Sequence, residues 1–584
     1  MADVRPLPCS GVDARIDTSM PLRYFSSDLT PGLKVLLGFL VLFFGAFLLY
    51  PLFYVFANAF YTDGTFSLTF FGLLLQNPVQ QRSLLNSLEL GIAATIVTTL
   101  ISLPIAHALV RYDFRGKGIL SGLLLIPMVM PPFVGAIGMK QMFARFGSIN
   151  LLLLEIGIID TPIDWFGGGG FWGVVILEAL HLYPIMYLNI AAGLANVDPS
   201  LEESARNMGA SGFRLFRTVT FPLMLPGYFA GAIIVFIWAF TDLGTPLIFE
   251  FREVVAVQIF NMMSDLHENP MGYALVVFVM IVTLALFYLS KKFIGGRRYE
   301  MMGRGHVVSA SRPATGVEMA VIYAGLLSIV GIALIPHFSV LLTSVSDRWF
   351  MTVLPSEYTT AYYGSIFDHE LTARAIKNSL ILSGLSTLVD IVLGILIAYL
   401  LTRRRFPGKD LLDAVTMLPL ALPGLVLAFG YVAGFSGTFL DVRIWPVPLL
   451  VISYAVRRLP YMVRSAYAGF QQMSVAMEEA SMNMGASPFT TLWRITMPLV
   501  IANLVAGAIL AFSFAMLEVS DSLILATKED DYPITKAIYA LMGRIADGPY
   551  MASAMGMLGM VLLACSLLVT GKVLGKKMGE LFKV

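Results

Sequence analysis

Residues 202–211 read EESARNMGAS and residues 478–487 read EEASMNMGAS, seven identities in ten positions at an offset of 276. The same offset pairs Pro184 with Pro460, Thr220 with Thr496, Pro222 with Pro498 and Leu223 with Leu499. Upstream an offset of 292 takes over. It pairs Asn86, Ser87 and Leu88 with Asn378, Ser379 and Leu380, Phe114 with Phe406, Gly116 with Gly408, and Pro127 and Pro131 with Pro419 and Pro423. The change of offset assigns 16 extra residues to the first half, between Gly138 and Pro184, in a stretch holding Trp165, Phe166 and the glycines 167–170. That stretch is expected to be an outer loop. The chain is an internal duplication whose best-matched segment is polar.

Of the 584 residues, 57% are hydrophobic and 13% charged, with a mean hydropathy of +0.78. One soluble core could not hide that much apolar side chain, so the solvent is lipid. A net charge of +1 argues against a chain-wide basic footprint for nucleic acid. Cys9 and Cys565 stand at opposite ends, which excludes a disulfide framework and a cysteine metal site. The first 32 residues contain Arg5, Asp13, Arg15 and Arg23 without an apolar core; a cytosolic tail is expected there and not a cleavable signal.

Apolar runs long enough to cross about 30 Å of hydrocarbon lie near residues 33–60, 86–110, 118–143, 171–194, 222–248 and 271–291, then 317–344, 378–402, 410–436, 445–470, 498–525 and 551–574. The runs are continuous and not alternating, so they predict helices and not a membrane barrel. The fold class is an all-α membrane protein of about twelve spans. The runs ending near 143, 248, 470 and 525 are expected to be broken or to project past the bilayer. The expected division is a tail at 1–32, a six-helix half at 33–294, a linker at 295–316 and a second six-helix half at 317–584. An even number of spans per half makes the repeats parallel, related by an axis along the membrane normal, with a path between them.

With the N-terminus inside, the inner segments and Lys34 carry 28 of the 39 Lys and Arg residues and the outer side 11. This excess predicts that both termini are cytosolic. The expected outer loops hold Glu155, Asp160, Asp164, Asp265 and Glu268. The stretch 291–316, with Lys291, Lys292, Arg297, Arg298 and Arg304, reads as a solvated connector between the halves.

Between the fourth and fifth spans of each half the pattern is Glu-Glu, small residues, a Gly six positions after the second Glu, and a Pro thirteen positions after the Gly. Two short surface helices are expected. Asp198, Pro199 and Ser200 offer a cap and a first-turn proline, and Glu202 and Glu203 suit the electropositive end. Gly209 and Gly485 allow a sharp turn, while Ala205, Ala210, Ala480 and Ala486 permit close contact. A duplication that merely enlarged a bundle gives no reason for a polar loop to be the best-matched segment.

These loops resemble the EAA motif of binding-protein-dependent ABC importer permeases. The match is carried by Glu203-Ser204-Ala205 with Gly209 and Pro222, and by Glu479-Ala480-Ser481 with Gly485 and Pro498; each triplet differs from Glu-Ala-Ala by one Ser. The resemblance covers nearly the whole chain. It implies a type I, MetI-like permease in the inner membrane of a bacterium, served by a soluble substrate-binding protein. It also implies two ABC ATPase copies, one seated on Glu202, Glu203, Ala205 and Gly209 and the other on Glu478, Glu479, Ala480 and Gly485. The chain has no phosphate-binding loop of the G-x-x-x-x-G-K-[ST] kind, no H-E-x-x-H and no G-x-S-x-G. It is therefore expected to be no enzyme and to hold no cofactor or metal of its own, with ATP and Mg bound by the partner ATPase.

Ionisable residues within spans are costly against lipid and mark interior positions. The pathway candidates are Asp242 and Glu518, which the 276 offset pairs, with Glu178 and Asp521; interhelical hydrogen bonding is the alternative role for each. Glu178 and His181, one turn apart, are expected to satisfy one another, and Asp390 lies within the eighth span. Arg457, Arg458 and Arg464 read as inner anchors or ATPase contacts. The stretches 240–246 and 457–460 look most like the ferric iron and aminoethylphosphonate branches of the family, which makes ferric iron the preferred cargo, ahead of a phosphonate or phosphorylated sugar. An ion-coupled secondary transporter using Asp242, Asp390 and Glu518 is the reading from another class.

Overall fold

The computed structural model describes residues 31–62, 64–167, 169–263, 270–295, 311–544 and 547–574. The tail, most of the linker, and Asp265 and Glu268 lie outside the described residues. The first half contains α1 (Pro31–Phe60), α2 (Pro78–Arg111), a broken α3 (Lys117–Val129, then Pro132–Glu155, bent by 91°), α4 (Phe171–Ala195), α5 (Gly212–Thr241) and α6 (Met271–Leu289). The second repeats the order with α7 (Gly316–Ser344), α8 (Glu370–Arg403), a broken α9 (Lys409–Ala421, then Gly424–Gly434, bent by 101°), α10 (Pro446–Gln472), α11 (Pro488–Met516) and α12 (Gly548–Val569).

Nine of these are long and apolar enough to span a membrane unbroken, and the two bent pairs bring the number to eleven. The twelfth, α10, is diluted by Arg457, Arg458 and Arg464. It is the 276-offset counterpart of α4 and packs along α8 and α11, as α4 packs along α2 and α5. The breaks fall at Pro131 and Pro132 in one half and at Pro423 in the other, where a missing N–H and the ring end a helix. Irregular backbone at membrane depth persists only where it is enclosed by protein or lines a cavity, so the breaks point to the path.

Each half reaches across to the other. On α9, Tyr431 donates its hydroxyl to the Phe47 carbonyl of α1 at 2.6 Å, and Tyr50 of α1 donates to the Gly434 carbonyl at 2.9 Å. The equivalent contact joins α7 to α3, where Ser339 donates to the Gly138 carbonyl at 2.9 Å. A Cβ at Gly138 would lie 2.5 Å from the Pro336 oxygen, so only glycine lets these helices approach this closely, the usual means of association in lipid.

The 34-residue helices α2 and α8 are each about 51 Å long at 1.5 Å per residue, well beyond roughly 30 Å of hydrocarbon. Each therefore projects past the apolar layer at one end or both, and the C-terminal ends carry Arg111 and Arg403. Beside Arg111, Arg312–Pro313 pairs in parallel with Tyr112–Asp113, which lays the end of the linker on the first half. The 16-residue insertion forms a short helix, Ser148–Glu155, and a loop. Buried Asn150 organises it, bonding Ile163 in both directions and accepting from Trp165 Nε1 at 2.9 Å.

Candidate coupling loops and central cavity

The two polar loops fold alike. Pro199–Asn207 starts from Asp198, whose carboxylate accepts from the Ser200 amide at 2.9 Å; Val475–Asn483 starts from Ser474, whose hydroxyl accepts from the Ala476 amide. Both helices end on a left-handed glycine, Gly209 (φ +86°) and Gly485 (φ +90°). The amides of Ala210 and Ala486 then bond back to Ala205 and Ser481, a C-terminal closure that favours glycine. A second short helix in each loop passes through a wide π turn, Phe216–Thr220 or Leu492–Thr496, into α5 or α11.

Each loop is anchored by a buried triad. Arg111 at the end of α2 pairs with Glu202 at 2.5 Å, and Thr220 donates to the same carboxylate at 2.7 Å. In the second half Arg403 pairs with Glu478 at 3.0 Å and Thr496 donates at 3.0 Å. Arg403 also donates to the carbonyls of Phe470 and Met473, which ties in the end of α10. Glu202, Ala205 and Glu478 are only 6%, 5% and 8% exposed. They face the protein's own interior, which corrects the expectation that they form a contact surface. Glu203, Gly209, Glu479, Ala480 and Gly485 are exposed. The 276 offset makes Ala480 the equivalent of Ser204 and not of Ala205, hence its different placement.

The outer surface of each loop carries apolar residues that sequence reasoning passed over. Met208 and Met484 are 82% and 83% exposed, Phe213 and Phe489 75% and 70%, and Leu201 and Met477 are exposed too. Each pair matches at 276. Apolar residues repeated at equivalent places in a polar loop were the available signal. The Arg111–Arg403 match at 292 could likewise have revealed the anchors.

Where the broken spans meet, a cavity of about 250 Å³ opens between the halves. Glu178, Asp242 and Glu518 line it together with Arg457, Arg458 and the prolines of both breaks. On the first wall, Glu178 accepts from the Thr245 hydroxyl at 3.0 Å and Asp242 accepts from the Thr245 amide at 2.8 Å. His181 turns to the Pro127 carbonyl, so Glu178 and His181 do not satisfy one another as expected. On the second wall, Glu518 holds Arg457 at 2.5 Å and also pairs with Arg458. Arg457 lies in a slot left by Gly424, where any Cβ would collide with its guanidinium. Asp521 is fully buried behind the lining; it accepts from Ser453 at 2.8 Å and lies 3.6 Å from Arg457.

The placement of Arg457 and Arg458 corrects their assignment as inner anchors. They are the twelfth and thirteenth residues of a 27-residue helix, in mid-span and paired. With Glu518 and Asp521 they make a wall in charge balance. The carboxyl groups of Glu178 and Asp242 meet Thr245 and one another, and neither forms an ion pair among the described residues, so the lining carries three carboxyl groups against two arginines.

A duplicated six-span bundle, broken at a charged central cavity and carrying matched surface loops, defines a solute permease. Residues 99–298 and 390–578 match the family described as "Binding-protein-dependent transport system inner membrane component", and the chain belongs to that family as a two-half permease. It is 28% identical over 545 residues to the ferric transport system permease protein FbpB of Actinobacillus pleuropneumoniae, covering 91% of this chain and 76% of that one. It is 29% identical over 495 residues to a putative ferric transport system permease protein FbpB 1 of Haemophilus influenzae, covering 83% and 76%. The molybdenum transport system permease protein ModB of Escherichia coli is 30% identical over 227 residues, covering 37% of this chain and 93% of that one. A solved bacterial ABC transporter involved in import of the acidic polysaccharide alginate covers 44% of this chain and 95% of its own, with 16% identity and a TM-score of 0.36.

Proposed function

We propose that this chain carries ferric iron, handed over by a soluble binding protein, across the bacterial inner membrane into the cytosol. Two copies of an ABC ATPase sit on the two loops and supply the energy, and both chain termini lie in the cytosol. The observation that carries the reading is the pairing of two matched, anchored loop surfaces with one acidic cavity between the halves. Met208, Phe213, Met484 and Phe489, exposed on otherwise polar loops, suit burial in a partner's groove. Glu203 and Glu479 stand beside them for polar contacts, and Gly209 and Gly485 set the turns.

The cavity favours a cation because Glu518 already holds both arginines, while the Glu178 and Asp242 carboxyls beside it have no basic partner and share a hydrogen bond that a cation would replace. The ferric relatives point the same way. Binding and hydrolysis of ATP alternate the cavity between the two sides. The loops transmit this only if the ATPases bind them with different strength in the two states. Arg111 and Arg403 convert movement of a loop into movement of α2 or α8, since each ion pair joins the two rigidly.

The test is uptake of radiolabelled ferric iron by vesicles containing this chain, its ATPase and its binding protein. ATP-dependent accumulation that stops when the ATPase is omitted is expected. Uptake driven by an ion gradient with no ATPase, or accumulation of another solute in place of iron, would sink the reading.

A further inference from the structure

Behind the arginine wall of the cavity lie polar atoms with nothing to bind. Asp390, on α8, is 0% exposed, and neither of its carboxylate oxygens has a hydrogen-bond partner among the described residues. The hydroxyls of Ser383 and Thr387, on the same face of the helix, are in the same condition. A buried polar group is normally paired, and an acid within a span normally has a named partner. Arg458, on the neighbouring α10, is the charged group whose field reaches Asp390. It pairs with Glu518 while its own Nε remains unpaired.

Arg457 has a comparable choice. It holds Glu518 at 2.5 Å and lies 3.6 Å from Asp521, whose facing oxygen has no hydrogen bond. Two arginines thus converge on one cavity carboxylate, and each has a second carboxylate behind it. The first half has no such arrangement: the repeat offsets put Thr98 opposite Asp390, His181 opposite Arg457 and Leu182 opposite Arg458.

We propose that Asp390 is the alternative seat of Arg458, as Asp521 is of Arg457, and that withdrawal of the two arginines to these seats uncovers Glu518. The cavity then presents Glu178, Asp242 and Glu518 together to a multivalent cation, and it covers Glu518 again after release. An arginine with two seats is a two-state element that cargo charge biases directly, since a cation among the three carboxylates repels both guanidiniums. Asp390 is a positioning residue here, acting through Arg458. The cargo part of the proposal rests on the importer reading; the switch itself does not.

A test independent of cargo removes the front seat. The full chain, purified with its ATPase, is treated with a hydrophobic carbodiimide, and modification of Asp390 is read by mass spectrometry. Glu518→Gln sends Arg458 to Asp390, so labelling of Asp390 is expected to fall at least fivefold relative to the unaltered chain and to recover in Glu518→Gln/Arg458→Gln. Asp390 labelling that Glu518→Gln leaves unchanged, absence of labelling in both included, or protection that survives the double substitution, overturns the switch. In the unaltered chain, ferric nitrilotriacetate is expected to protect Asp390 in the same way. If Glu518→Gln protects and the ferric chelate does not, the switch stands and the assignment of iron falls.

Discussion

The two matched loops of this permease have stayed alike while the two walls of its cavity have not. In the loops every structural element has its counterpart: Arg111 and Arg403, Glu202 and Glu478, Thr220 and Thr496, Gly209 and Gly485, even the exposed Met208 and Met484. In the cavity only Asp242 and Glu518 match as acids. Elsewhere Glu178 faces Tyr454 in the alignment, Thr245 faces Asp521, and His181 and Leu182 face Arg457 and Arg458. Two surfaces proposed to meet the same kind of partner would be held to one shape. Two walls around a single cargo are bound only by what they present together, so one can specialise as a neutralised, switchable side and the other as a plain acidic one.

The sharpest way to break this likeness is through the anchors. Replacing Arg403 by Leu leaves Glu478 buried without its cation, a change that costs about 3–5 kcal/mol for a buried pair. It also releases the carbonyls of Phe470 and Met473. Arg111→Leu leaves Glu202 unpaired and about as buried as Glu478, with 8% of its side chain accessible against 11%, but Arg111 has no carbonyl bonds like those of Arg403 to lose among the described residues. The expected order in thermal melts, and in the amount of ATPase recovered with the chain, is Arg403→Leu well below Arg111→Leu, and both below the unaltered protein. Equal losses would show that the carbonyl bonds add nothing to the second anchor.

A smaller effect is expected at the loop surfaces. Met208→Asp and Met484→Asp introduce a charge where the proposed contact needs an apolar side chain. Because the two methionines are equally exposed, each single change should weaken ATPase association by about tenfold, roughly 1.4 kcal/mol, with the stability of the chain itself unmoved. The double change should be close to additive, since the loops are separate sites. Unequal single effects would mean that the two loops meet different surfaces.

These loops were the most legible part of the chain, because a turn glycine, a capping Asp and a repeated Glu pair act over a few residues and leave a local signature. Nine of the spans were legible for the same kind of reason, an unbroken apolar run, while two are broken and α10 is interrupted by its arginines. The cavity was not. Arg457 and Arg458 read as inner-face anchors by charge bias alone, although the apolar run at 445–470 already holds them near its middle, where α10 carries them. Their partners, Glu518 and Asp521, come from sixty residues further on, and long-range pairing of that kind leaves no periodic trace. Glu202 and Glu478 were recognised as important but turned the wrong way. The orientation of a side chain on a short helix depends on what packs beneath it, here the ends of α2 and α8.

The finest difference between the loops is the atom that starts each one, and it titrates in only one of them. The Asp198 carboxylate caps the first loop helix, and the amide and hydroxyl of Ser200 that bond it hold its pKa below the ordinary aspartate value. A carboxyl whose folded pKa is depressed contributes stability that is present above its unfolded value and is lost as pH falls through the folded one. Ser474 does the same work in the second loop with a hydroxyl, which does not titrate in this range. Acidification from about pH 5 to pH 3, across the ordinary aspartate range, should therefore loosen the start of Pro199–Asn207 while leaving Val475–Asn483 as it was. Hydrogen exchange of the Ser200 and Ala476 amides, each referred to its rate in an unstructured peptide at the same pH, reads the two ends separately. Asp198→Ser should remove the difference between the loops, and a pH response that persists in that variant would assign it to a group other than the cap.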